Sequence, residues 1–330
     1  MPVSVAMYDK SYEHIGDRLK ALNLDIDVYT FDKNSKMQRD GAEVSPGETD
    51  IDYVWLSSHL NPDNAQKTAF DMVMSCKSVG VMQTFNAGLD NPVYKKISDK
   101  GARICNSSAQ AVAISEYVMA HVLSVIHPID LQRQLQADLK FEKTPFREVS
   151  RTNWLIIGYG PIGEEVAKRA KAFGATIDVV RRSPKTSDLV DRAGTMADLG
   201  KFLPDADVIV LACALNNETR GFADAGFFGA VKDGALLVNV ARGALIDDAA
   251  MMASLESSGG LDMAVLDVFH TEPLPTEDPL WTHPKIRMTG HTSFFGDGGR
   301  ARWDQLFLDN IARFVAGDDL EYEVNPADIV

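Results

Sequence analysis

Arg242, Glu272 and His291 are the residues of this chain whose types suit carboxylate binding and proton transfer. Arg242 directly follows the apolar run LLVNVA at 236–241, Glu272 lies in DVFHTEPLP at 267–275, and His291 lies in TGHTS at 289–293. A guanidinium clamps a planar carboxylate through two parallel hydrogen bonds and polarises a neighbouring carbonyl. Imidazole titrates nearest neutral pH, and an adjacent carboxylate fixes its tautomer and favours its protonated form. Such a pair can protonate a carbonyl oxygen as hydride arrives and take the proton back in reverse. His14, His59, His121, His127, His270 and His283 show no comparable setting. His59 alone is held in reserve, because it follows the apolar run YVWL at 53–56. No Cys/His spacing suggests a metal.

A second group of residues suits a phosphate. The stretch NWLIIGYGPIG at 153–163 runs an apolar strand into Gly158, Gly160 and Gly163, and a helical pattern with Val166, Ala170 and Phe173 on one side follows. Glycines there allow a sharp turn, close approach to a pyrophosphate and tight packing of helix on sheet. Pro161 and Ile162 open the helix, whose first N–H groups face the phosphates. The next strand, Thr176–Val180, ends in Arg181, Arg182 and Ser183, with Lys185 close behind. An acidic residue normally stands there to accept from the adenine ribose hydroxyls of NAD. Asp178 lies too early to do so. A guanidinium suits a 2′-phosphate instead, which predicts NADP(H) in preference to NAD(H), with NAD(H) still possible.

The elements that must position these groups alternate between strand and helix. Strands are expected at Val3–Met7, Leu24–Tyr29, Ile51–Leu56 and Val79–Met82, with helices near Glu13–Leu22 and Asp63–Met74, the latter entered through Asn61-Pro62. A long apolar helix is expected from Ala111 to Val125, then a charged segment over 127–150 without strand pattern. Six more strands are expected at Trp154–Ile157, Thr176–Val180, Val208–Ala212, Ala235–Val240, Met263–Leu266 and Ile286–Met288, and a last helix at Trp303–Ala316. This rhythm predicts an α/β protein of doubly wound parallel sheets, in which ligands sit beyond the C-terminal strand ends. The 330 residues suffice for two domains. A formal charge of −14 argues against a nucleic-acid surface. The chain shows no signal-peptide pattern and no run of 18 apolar residues, so no membrane partner is expected. Its three separated cysteines suit a reducing compartment, and a cytoplasmic location is the expectation.

With IIGYGPIG, NNET (216–219), LLVNVARGALID, LDVFHTEPLP and TGHTS in place, the chain resembles the D-isomer-specific 2-hydroxyacid dehydrogenases over essentially its whole length, and glyoxylate/hydroxypyruvate reductases in particular. The resemblance implies two Rossmann-like domains with the active site in a cleft between them. The substrate domain would comprise 1–104 and 294–330, and the inserted dinucleotide domain 105–293. Arg242 would bind the substrate carboxylate and carbonyl, His291 would donate and accept the proton, and Glu272 would support it. Val240, Ala241 and Asp267 would lie near the nicotinamide. Ala212, Cys213, Ala214, Asn216 and Thr219 would line the cofactor, and Ala87 and Gly88 would hold the substrate carboxylate through backbone N–H groups. A homodimer through the dinucleotide domains is implied as well. Two departures stand out: Gly290 replaces the proline common before the histidine, and SRTNW replaces the usual LxGKT before the glycine loop. The alternatives are a non-enzymatic dinucleotide sensor or corepressor on the same fold, and formate dehydrogenation, disfavoured because no glutamine precedes His291.

Overall fold

The computed structural model describes residues 1–183 and 187–329, so Lys185 lies outside the described residues. The chain forms two compact units, Met1–Ala109 with Asp297–Val330, and Gln110–Gly296. Both breaks fall a few residues after those expected at 104 and 293.

In the first unit β1 (Val3–Tyr8), β2 (Ile26–Phe31), β3 (Met37–Arg39), β4 (Ala42–Val44), β5 (Asp50–Leu56), β6 (Ser78–Thr84) and β7 (Arg103–Cys105) form one sheet. Its parallel core runs β7-β6-β5-β1-β2. The β3–β4 hairpin adds antiparallel to β2, and the short strand Glu323–Val324 adds antiparallel to β7 at the other edge. Alternate residues serve opposite faces. Val5, Met7, Tyr53 and Trp55 pack with Phe307, Leu308 and Ile311 of the helix Gly299–Ala316, while Ala6, Tyr8, Val54 and Leu56 build a separate core with Phe70, Tyr94 and Ile97. Trp55 stacks on Phe307 with ring centroids 4.2 Å apart and planes 8° apart.

The second unit carries β8 (Asn153–Ile157), β9 (Thr176–Val180), β10 (Arg192–Gly194), β11 (Val208–Leu211), β12 (Leu236–Asn239), β13 (Met263–Leu266) and β14 (Ile286–Met288). They pair in the order β10-β9-β8-β11-β12-β13-β14, all parallel. The order reverses between β8 and β11, where a doubly wound sheet opens its ligand crevice. Because helices cover both faces, β8 and β11 read as unbroken apolar runs rather than as alternation.

Sequence and structure differ in places, each with a local reason. This sheet has seven strands, not six. The extra β10 is three residues long and is held by Arg192, which donates to both carboxylate oxygens of Asp178 at 2.9 and 2.5 Å. The pairs β3–β4 and β6–β7 also rest on strands too short to show a period. The helix expected from Asp63 begins at Gln66, because Asn64 adopts a left-handed φ of 51° and ends the turn before it. Within 127–150 a helix forms at Ile129–Ala137. The last helix starts at Gly299 and stops at Gly317, whose φ of 78° suits a glycine cap.

Candidate active site

The glycine loop is shaped by close approach. Gly158 has a φ of 100°, and a Cβ there would run into the backbone of Ala212 and Cys213; a Cβ at Gly163 would run into the carbonyl of Gly158. Gly160 has nothing within 4 Å on that side, which leaves its backbone open to a ligand. Pro161 begins the helix Pro161–Ala172, where a missing N–H costs nothing. The amides of Ile162 and Gly163 belong to the first turn and have no intrahelical acceptor. An open glycine backbone beside free first-turn amides fits a pyrophosphate. Opposite, Ala212, Cys213 and Ala214 leave the end of β11; desolvation pushes the Cys213 thiol up to about 12, so it stays neutral. The turn beyond is self-tied: Thr219 Oγ1 accepts from Asn216 N–H and donates to Ala214 carbonyl, both at 2.8 Å.

At the end of β9 the backbone N–H of Arg181 donates to Gly194 at 3.1 Å. Arg181 is half-buried, and Arg182 and Ser183 are exposed. Asp178 is buried inside β9 and engaged by Arg192, so the one acid of this strand serves the sheet.

The three strand ends that follow lie side by side. Buried Asn239, the last residue of β12, bridges the turn that carries Arg242: it accepts from Ala241 N–H at 3.0 Å and donates to Arg242 carbonyl at 2.9 Å. Arg242 Nη1 donates to the Ala241 carbonyl at 2.7 Å. Val240 and Ala241 are buried on either side of that bridge. A Cβ at Gly243 would overlap the backbone of Phe269 and His270. This glycine therefore lets the Arg242 turn touch the loop that carries Glu272.

Glu272 accepts from Phe269 N–H through Oε1 at 2.9 Å and meets His291 Nδ1 through Oε2 at 2.7 Å. Its carboxylate is tied to its own loop on one side and orients the imidazole on the other, leaving Nε2 as the ring's working nitrogen. His291 and Glu272 are each about one third exposed, so the pair stays reachable from solvent. His291 itself has a φ of 50°. Asp267, expected beside the nicotinamide, is fully buried. It holds the histidine loop, accepting from Thr289 Oγ1 at 2.6 Å, Thr292 N–H at 2.8 Å and Ser293 N–H at 3.0 Å.

The remaining expected residues, Ala87 and Gly88, lie in the first unit on the loop after β6. Asn106 Nδ2 donates to Ala87 carbonyl at 2.7 Å, and Asn86 Nδ2 donates to Tyr94 Oη at 2.7 Å, so the loop is pinned from both sides. Also in that unit, His14, His59 and Asp304 bring their donor atoms within 4.8 Å of one another. Arg18 already lies 3.8 Å from the same Asp304 oxygen that His14 Nε2 meets at 3.0 Å. Burial, then the charges of Arg300 and His14, holds His59 down at about 4. With two guanidiniums facing it, the cluster is a charge network ill suited to a cation. Asn239 and Thr289 escaped the sequence reading. A polar residue inside LLVNVA was the signal for the first, and nothing marked the second.

Residues 119–293 match the family described as D-isomer specific 2-hydroxyacid dehydrogenase, NAD binding domain. A glyoxylate/hydroxypyruvate reductase A of Citrobacter koseri is 32% identical over 56% of this chain and 59% of its own length. A hydroxypyruvate reductase of Blautia hydrogenotrophica is 27% identical over 87% of this chain and 88% of its own. A D-isomer specific 2-hydroxyacid dehydrogenase from Xanthobacter autotrophicus, solved with NADPH and MES, superposes over 100% of both chains with a TM-score of 0.79 at 23% identity, a likeness of fold. The matched stretch takes in the glycine loop and all three strand ends built around Arg242, Glu272 and His291, and the chain belongs to the D-isomer specific 2-hydroxyacid dehydrogenase family.

Proposed function

We propose that this family member reduces a small 2-oxo acid to the D-2-hydroxy acid with NADP(H) in preference to NAD(H), glyoxylate and hydroxypyruvate being the first substrates to try. The observation that carries the reading is the 2.7 Å contact between His291 Nδ1 and Glu272 Oε2, beside the Arg242 turn. The glycine loop would hold the pyrophosphate of a reduced nicotinamide cofactor, which would supply hydride to the carbonyl carbon. Arg242 holds the substrate carboxylate and draws charge onto the carbonyl oxygen, and His291 delivers the proton that oxygen needs through Nε2. Glu272 keeps the ring oriented. The amides at Ile162 and Gly163 would receive the pyrophosphate, with Val240, Ala241 and the Ala212–Thr219 turn lining the rest. Arg181, Arg182 and Ser183 would meet the 2′-phosphate, and Ala87 and Gly88 the substrate carboxylate.

The named relatives guide the choice of substrate, because the Citrobacter and Blautia proteins reduce glyoxylate or hydroxypyruvate by their names. A homodimer is part of the proposal. Its support is the segment after His127, which leaves Leu131, Leu139, Phe141 and Phe146 exposed. Three unpaired cysteines support a reducing compartment. The deciding experiment assays a panel of 2-oxo acids with NADPH and NADH in parallel. Turnover of a small 2-oxo acid, faster per KM with NADPH, is expected. No turnover across the panel would overturn the activity, and equal efficiency with NADH would overturn the preference. Sedimentation then reads the dimer.

A further inference from the structure

Building on the reading of His291 as proton donor, we propose that Tyr117 is a positioning residue for that histidine, acting through Thr289 and Asp267. Tyr117 lies on the helix Ala111–Ile126, and its hydroxyl sits 2.6 Å from Thr289 Oγ1. Thr289 Oγ1 in turn lies 2.6 Å from Asp267 Oδ1. A threonine hydroxyl has a single proton, and a carboxylate can only accept. Thr289 therefore donates to Asp267, and Tyr117 must donate to Thr289. Burial pushes the Tyr117 phenol up to about 12, so that donor stays in place through neutral pH.

The chain of hydrogen bonds ends on the loop that needs it. Asp267 takes the Thr292 and Ser293 amides on its side chain and the His291 amide on its carbonyl at 2.7 Å. Thr289 precedes His291 and Thr292 follows it, so the histidine is gripped on both sides through one buried carboxylate. The grip has work to do. A φ of 50° is uncommon for a residue with a Cβ, and such a conformation persists only when its surroundings over-determine it. Gly290 adds backbone freedom just before it. Removing the phenol proton leaves the half-buried Thr289 oxygen one partner short, and the loop loses the anchor that ties it to the helix. A small displacement of His291 Nε2 then slows proton delivery more than it weakens binding.

The test uses the full-length protein with a 2-oxo acid that the wild type reduces. The variants are Tyr117→Phe, Thr289→Val, Thr289→Ser and the Phe/Val double variant, each read by kcat, KM and the NADPH dissociation constant from cofactor fluorescence. Tyr117→Phe and Thr289→Val should each lower kcat about ten-fold while the NADPH constant stays within about two-fold. The double variant should be about as slow as the slower single one, because both cut the same chain. Thr289→Ser, which keeps the hydroxyl, should stay near wild type. An unchanged kcat in Tyr117→Phe, losses that multiply in the double variant, or a serine variant as slow as the valine one would each overturn the proposal. If Tyr117→Phe does not fold, Tyr117→Leu, which also removes the phenol, is read by the same kcat and NADPH criteria. A wild type that reduces no 2-oxo acid sinks the proton-donor reading itself, a result distinct from an active wild type with an indifferent Tyr117.

Discussion

At the scale of single residues, the proposed site divides between groups that would touch substrate and groups that hold them. His291→Ala removes the proton donor but leaves the glycine loop intact. It should lower kcat by about 10²–10⁴-fold with cofactor affinity nearly unchanged, as stopped-flow turnover and fluorescence titration would show. Glu272→Leu removes the acceptor that orients the ring, so kcat should fall about ten-fold or more with cofactor affinity nearly unchanged, read by the same two measurements. His59 makes a separate prediction about stability. Its folded value near 4 lies below the 6.5 of an unfolded histidine, so acid protonates the unfolded chain first. Stability present above about pH 6.5 should fall as pH drops towards 4, and His59→Gln should flatten that part of a melting-temperature profile. Arg242, Glu272 and His291 were legible as sequence because each lies shortly beyond an expected strand. Tyr117 was not, since its partner Thr289 lies 172 residues away and no local pattern links them.

At the scale of elements, the strand–turn–helix from β8 to Ala172 does most to fix the cofactor end. Gly158→Ala puts a Cβ into the backbone of Ala212 and Cys213 at a φ of 100°. It should cost more than about 1 kcal/mol in denaturant unfolding and abolish measurable NADPH binding. The end of β9 carries the contact proposed for the 2′-phosphate. Replacing Arg181 and Arg182 together, with Asp and Ser, should weaken NADPH efficiency by at least about ten-fold and narrow or reverse its advantage over NADH. A double variant that keeps the wild-type ratio would locate the preference elsewhere. Long apolar strands such as β8, β11 and β12 could be read from sequence because both their faces are buried. Of the three-residue strands, β14 was expected at Ile286–Met288, but β3, β4, β7 and β10 were not. Their pairing depends on neighbours, as β10 depends on Arg192 meeting Asp178, and three residues carry no period. The turn at Asn64 shows the same limit at a helix start.

At the scale of the whole molecule, the chain leaves its first unit at Ala109 and returns to it at Asp297. The interruption was legible only through the family resemblance, while its margins depended on packing that sequence does not display. Phe307 on that helix is fully buried against Trp55. Phe307→Ala should cost about 3–5 kcal/mol by the usual penalty for emptying an aromatic site, seen as a lower melting temperature that spares the fold of residues 110–296. The stacking of Trp55 on Phe307 also has a consequence in time. A ribosome adding about 5–20 residues per second makes Trp55 tens of seconds before it makes Phe307. Throughout that interval Val5, Met7, Tyr53 and Trp55 have Ile15 and Leu19 on their side of the nascent sheet but lack Phe307, Leu308 and Ile311, while residues 110–296 emerge with everything their own cores require. The inserted unit is therefore expected to mature first on the ribosome. The first unit stays an adhesive half-product that invites chaperones until its closing helix arrives.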